Sequence, residues 1–143
     1  MRPADRPGPR SGGLLPVAVL VLAISGLAAG CGSSKPAYCT DASQLKTSVQ
    51  NLGNVDVATN GLSSLQTALS SVQADAKTFA AGAKSAYPSQ TAALNTALSG
   101  LQTAITSAKG QPPLTAATAV ASSVTQVKNS ADALQSAASG NCQ

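Results

Sequence analysis

The chain predicts an all-α fold, an antiparallel helical bundle of three long helices preceded by a short N-terminal one. Three observations lead there. Apolar residues recur at spacings of three and four through most of residues 40–143, the period of a single helix face. No stretch of useful length alternates apolar and polar as a strand would. Cys39 and Cys142 bracket the same region, which limits the topology if they are joined.

The elements follow in order. Leu45, Val49 and Leu52 predict a helix over 40–52, which Gly53-Asn54 breaks. Residues 55–61 read as a connector. The longest seam comes next: Leu62, Leu65, Leu69, Val72, Ala76, Phe79 and Ala83 form a sustained a/d repeat and predict a helix over 61–87. Tyr87-Pro88 ends it, because a residue before proline avoids helical geometry, and Ser89 is placed to cap the next helix. That helix, 89–109, carries Leu94, Leu98, Leu101, Ile105 and Ala108 on one face. Gly110-Gln111-Pro112-Pro113 stops it, with glycine suited to the C-terminal cap. Thr115 is placed to cap a last helix, 115–139, whose seam runs Ala117, Val120, Val124, Val127, Ala131, Leu134 and Ala138.

The first two segments are separate helices. The long seam run backwards meets Val55, Asn51 and Ser48, whereas the apolar residues of the first segment are Leu52 and Val49, one position off. Length matters too. A helix of about 25 residues is ~38 Å long and one of about 13 is ~20 Å, so a half-length first helix running antiparallel to the second brings Cys39 and Cys142 to one end. The connector must then continue, extended, to the far end.

Composition narrows the function. The chain has 143 residues, with 9 Lys+Arg against 5 Asp+Glu and no His or Trp. All three arginines, Arg2, Arg6 and Arg10, lie in the first ten residues. From Gly32 onward there are six Lys and four Asp but no Arg, Glu, His or Met, and Ala, Ser and Thr supply 52 of 112 residues. Such a body lacks the usual general bases, most zinc ligands and the bidentate arginine clamp. It is expected not to be an enzyme and to hold no cofactor or metal. Leu, Val, Ile and Phe total only 19 of these 112 residues, so the helices must be narrow and closely packed around alanine.

The N-terminal part reads as an address. A basic segment is followed by LLPVAVLVLAISGLAA over 14–29, an apolar run of 16 residues. That is short of the roughly 20 needed to span a bilayer, and with the small residues after it predicts a signal peptide over 1–30. Leu27-Ala28-Ala29-Gly30-Cys31 resembles the lipobox of bacterial lipoproteins. Ala28 stands where leucine or valine is commoner, with Leu27 one position further back. The resemblance implies a diacylglycerol on the Cys31 sulfur, cleavage just before it, and a cell-membrane location on the extracytoplasmic face. Residues 31–39 would be the lipidated cysteine and its tether, and 40–143 the bundle. Removal of the arginines leaves six Lys against four Asp, with nothing basic enough to suggest nucleic acid. In style the chain is similar to small Ala-rich helical lipoproteins of high-GC Gram-positive bacteria.

With Cys31 lipidated, Cys39 and Cys142 are the remaining pair. An exported protein places them where disulfides persist, and a single pair allows one connectivity. A Cys39–Cys142 disulfide is expected.

Few side chains remain to carry chemistry. Asp41 falls in a first helical turn, where negative charge is favourable. Asp75 and Asp132, near Lys77 and Lys128, are expected on solvated faces. Asp56, between Val55 and Val57, either caps a backbone turn or marks a contact loop. Phe79 belongs to the core and Tyr87 covers one bundle end. The reading that results is a lipid-anchored, non-enzymatic interaction or spacer module. Its partners would be the membrane, through Cys31, and an envelope protein met at the distal end, where residues 53–61 and 109–114 come together. The second reading is a carrier holding an apolar molecule or lipid between the helices, which needs an apolar pocket of several hundred cubic ångströms.

Overall fold

The structure is a computed structural model that describes residues 35–83 and 85–143. The expected signal peptide, Cys31, most of its tether and Lys84 lie outside the described residues. The described residues form four helices and no strand: α1 (Tyr38–Gly53), α2 (Val57–Ala83), α3 (Pro88–Ala108) and α4 (Pro113–Ser139). The all-helical class is therefore observed.

The apolar seams become the core. Leu65, Leu69, Val72 and Phe79 of α2 meet Leu94, Leu101 and Ile105 of α3 and Val120, Val127 and Leu134 of α4, all essentially inaccessible to water. Leu45, Val49 and Leu52 attach α1 to the same cluster. Helix α1 packs on α2 and α4, α3 packs on α4 and α2, and α2 meets α4 between them. Among the described residues no polar or charged side chain is buried. The many threonines instead lie on exposed faces with their hydroxyls donated to the carbonyl four residues back, as for Thr67 to Ser63 and Thr103 to Ser99.

Element ends differ from the spacing-based expectation, each for a local reason. Helix α1 starts at Tyr38 rather than at 40, because the Tyr38 ring and the Cys39 sulfur are both fastened to other elements. Neither Ser89 nor Thr115 is a cap. Helix α3 begins at Pro88 and α4 at Pro113, each with proline at the first helical position, where a missing N–H is no loss and φ is already suitable. Helix α2 ends at Ala83, four residues before the expected limit. Gly110, with φ +81°, follows the α3 cap residue Lys109.

The connector is also shorter and less extended than expected. Val57 through Asn60 already form a helical turn, separated from the rest of α2 by Gly61 at φ 76°, ψ 172°. That combination is open essentially to glycine alone. Asp56 caps the turn: its carbonyl accepts from the Asn60 amide at 2.7 Å, and its carboxylate from the Thr59 amide at 3.1 Å and hydroxyl at 2.7 Å. Of the two roles open to Asp56, capping is the one observed. Those Thr59 bonds hold the Asp56 carboxyl below the usual carboxylate range, the hydroxyl bond contributing most.

Candidate functional site

The two ends of the bundle are built differently. At one end the chain's entry and exit are fastened. The Cys39 and Cys142 sulfurs are 2.10 Å apart and their Cα atoms 5.5 Å apart, the separation of a disulfide. Tyr38, Phe79 and Tyr87 bring α1, α2 and the α2–α3 turn together, with ring centroids 5.8–6.0 Å apart. Tyr38 stands edge-on to both other rings, a favourable aromatic geometry. The Asn141 amide donates to the Tyr87 hydroxyl at 2.8 Å, and that hydroxyl lies 3.3 Å from the Tyr38 hydroxyl. The latter contact, aided by partial desolvation, raises the Tyr38 phenol above the ordinary tyrosine range. Phe79 is core and Tyr87 covers this end, as expected from the sequence.

Two features here escaped sequence reasoning. Gly82 is where α2 receives the start of α1: a Cβ on it would lie 2.8 Å from an Asp41 carboxylate oxygen and 3.4 Å from the Tyr38 Cβ. An isolated glycine inside a helical pattern was the available signal. Asp75 is half-buried and accepts a hydrogen bond from the Ser48 hydroxyl, tying α2 to α1. It is not the solvated aspartate that its spacing from Lys77 suggested, because the partner comes from another helix. Asp132 is exposed as expected.

The opposite end is open. Val57, Gly61 and Leu62 of α2 line a small hollow of about 160 Å³ together with Gln111, Pro113 and Ala116, so the two turns assigned to the distal end do meet. Beside it lies a larger notch of about 340 Å³, walled by the end of α1, Val55, Asp56, Val57 and the α4 residues Ala117, Val120, Ala121, Val124 and Thr125. The notch exists because α1 has 16 residues against 27 in α4. Leu114, in the first turn of α4, is 75% exposed, the one large hydrophobic so exposed among the described residues. No charged residue lies between Lys109 and Lys128. The one carboxylate at this end, Asp56, lines the notch and is bonded to Thr59.

A cleft between α1 and α4 has the apolar floor that a carrier would need, from Leu45, Val49, Phe79 and Leu134, with Lys46, Lys128 and Asp132 at its rim. Its volume is about 100 Å³, below the ~300–1,000 Å³ of ordinary ligand pockets. The floor residues are almost wholly covered by their neighbours. No helix among the described residues is long and apolar enough to cross a membrane. Comparison of the chain with family models, with curated proteins and with solved structures returns no match.

Proposed function

We propose that this protein is a lipid-anchored component of the cell envelope that acts by non-enzymatic contact, as a small rigid module held off the membrane. The N-terminal address and the lipobox-like Leu27–Cys31 support the anchor on Cys31. The absence of histidine, glutamate and arginine after residue 31 supports a role without catalysis. We read the body as an antiparallel up-down-up-down bundle with a half-length first helix. The fastening of Cys39 to Cys142 at one end supports this, as does the meeting of the α1–α2 and α3–α4 turns at the other. In the sequence, Cys31 precedes Cys39 of the fastened end by eight residues.

One observation carries the contact role. A chain with only 19 large aliphatic and phenylalanine residues after Gly32 leaves one leucine, Leu114, 75% exposed, three residues before the notch residue Ala117, while burying most of the others. Contiguous apolar surface marks an interaction site where a single exposed residue does not, and Leu114 continues at helical spacing into Ala117, Ala121 and Val124. Metabolic labelling with a palmitate analogue tests the anchor: label should enter the chain and be lost in Cys31→Ala. Crosslinking in intact cells tests the contact: Leu114→Asp should lose the crosslinked species while the amount of protein stays constant. An unlabelled chain, or unchanged crosslinking of Leu114→Asp, would overturn the respective half.

A further inference from the structure

Asn60 is the one asparagine of the chain that glycine follows. Asparagine is a thermolabile residue, because its carboxamide carbon is open to attack by the amide nitrogen of the next residue. A Cβ on that next residue obstructs the approach, and glycine has none. Three observations mark this pair. Asn60 is exposed. Gly61 leaves the helical path at φ 76°, ψ 172°, and nothing lies within 4 Å of the place its Cβ would take. The turn over Val57–Asn60 is a single one, held by Asp56: the Asn60 amide donates to the Asp56 carbonyl, and the Thr59 amide and hydroxyl donate to the Asp56 carboxylate. One helical turn has little cooperative support of its own, and its opening frees the Asn60 backbone to bring the Gly61 nitrogen onto the side chain. The other asparagines are placed differently. Asn51, Asn95 and Asn129 lie within α1, α3 and α4 and precede Leu52, Thr96 and Ser130. Asn54 precedes the β-branched Val55, and the Asn141 carboxamide is bonded to the Tyr87 hydroxyl.

We propose that Asn60 is a site of spontaneous modification, turning into aspartate and isoaspartate by reaction with Gly61 and water, and that the Asp56 cap is the brake on this reaction. The Gly61 nitrogen bonds to the Asn60 Cγ and gives up its proton. The bond from Cγ to the carboxamide nitrogen breaks, and that nitrogen leaves with the proton as ammonia. A five-membered succinimide remains. Water then adds to one of its two carbonyls. Opening at Cγ restores the ordinary main chain with an aspartate side chain. Opening at the Asn60 main-chain carbonyl leaves isoaspartate, in which the chain runs through Cγ. No oxidation or reduction is involved.

Either product sets a negative charge four residues after Asp56, where like charges on a helix repel. The charge stands next to Gly61, which lines the hollow between the two turns of the open end. Isoaspartate also adds a methylene to the main chain at the joint between the first turn of α2 and the rest. Older copies of the protein therefore differ from new ones at this end and not at the fastened end, with or without lipid on Cys31.

The test holds the full-length chain in warm neutral buffer, samples it over weeks and digests it with trypsin. Fragment masses locate the gain that turns an amide into an acid, and isoaspartyl methyltransferase counts the isoaspartate. Peptide 47–77 holds Asn51, Asn54 and Asn60 together, so each is a control for the others. Conversion at Asn60 should be at least about tenfold faster than at any other asparagine. Asp56→Ala should speed it about fivefold, the effect of losing an ordinary cap. Asp56→Asn, which still caps, should leave it at the parental rate. Gly61→Ala strains and loosens the same turn, yet should slow conversion about tenfold, because a Cβ then stands beside the attacking nitrogen. Conversion at Asn60 no faster than at Asn95 or Asn129 would overturn the site, as would a Gly61→Ala rate at or above the parental one. An Asp56→Ala rate equal to the parental one, or an Asp56→Asn rate equal to that of Asp56→Ala, would overturn the cap as the brake.

Discussion

The two ends of this bundle solve opposite problems. The end that holds Cys39 and Cys142 collects most of what is unusual in the composition: the sulfur pair, all three aromatic rings after Gly32 and an asparagine reaching Tyr87. The other end has no aromatic ring, one aspartate bonded to its own turn, a strained glycine and an exposed leucine. One end is fastened by specific, directional contacts and the other is only closed by short turns. The covalent and aromatic contacts are therefore concentrated at the end away from Leu114.

Removing the fastening is the largest way to break this comparison. Cys39→Ser/Cys142→Ser opens a loop of sequence separation 103. In the chain-entropy model this costs up to ~4.7 kcal/mol, so thermal unfolding followed by circular dichroism should show a large drop in Tm. A double variant that melts like its parent would show that the helices hold without the clasp.

Next is Gly61→Ala, which forces a side chain into the conformation at φ 76°, ψ 172°. The expected cost is roughly 1–3 kcal/mol, read as a lower denaturant midpoint with an unchanged slope. An unaltered midpoint would mean that the first turn of α2 rearranges freely.

Asp56→Ala removes the cap of that turn and should lower Tm by less than Gly61→Ala does at pH 7. The carboxyl is held below its ordinary range in the folded protein. Its contribution is therefore full above the unfolded carboxylate pKa and declines as pH falls through the lower folded value. The Tm gap between parent and Asp56→Ala should close in acid, and Asp56→Asn, which still caps, should show little gap at pH 7. A gap that persists at the lowest pH would assign the effect to something other than the cap.

The smallest effect sharpens the contrast. Leu114→Ser should change stability by no more than about 0.5 kcal/mol, as exposed positions generally do, because the side chain has little to lose on folding. A marked drop in its Tm would make Leu114 part of the core and remove it from the contact surface.

What the sequence made legible follows from what periodicity records. Seams such as Leu65–Leu69–Val72 and Leu94–Leu98–Leu101 are repeated signals, and they became core as written. The cysteine pairing was legible from the way Cys39 and Cys142 bracket the helical region, on the expectation that Cys31 is used elsewhere. Helix ends were less so, since an end is a single event: Pro88 and Pro113 read as stops when each opens a helix. The turn over 57–60 has one buried apolar residue, Val57, too few to show a period. Contacts between helices left no trace in either helix's own spacing, so the Ser48–Asp75 bond and the close approach at Gly82 went unseen. The meeting of the α1–α2 and α3–α4 turns could be placed from topology, but the exposure of Leu114 could not. A leucine at the second position of a helix looks the same in sequence whether the neighbouring helix reaches it or stops short.

The clasp also determines how the molecule bears tension. A pull between the segment before Tyr38 and the first turn of α4 enters at Cys39 and crosses to Cys142 through a covalent bond. It then runs up α4, the helix that carries Leu114. Helix α1 lies off this line, so tension shears the rod formed by α4 and its neighbours rather than peeling α1 away one turn at a time. Cutting the sulfur bond would put α1, α2 and α3 into the covalent path between the same two points, and the force at which the body yields should fall even where its resting fold is unaltered.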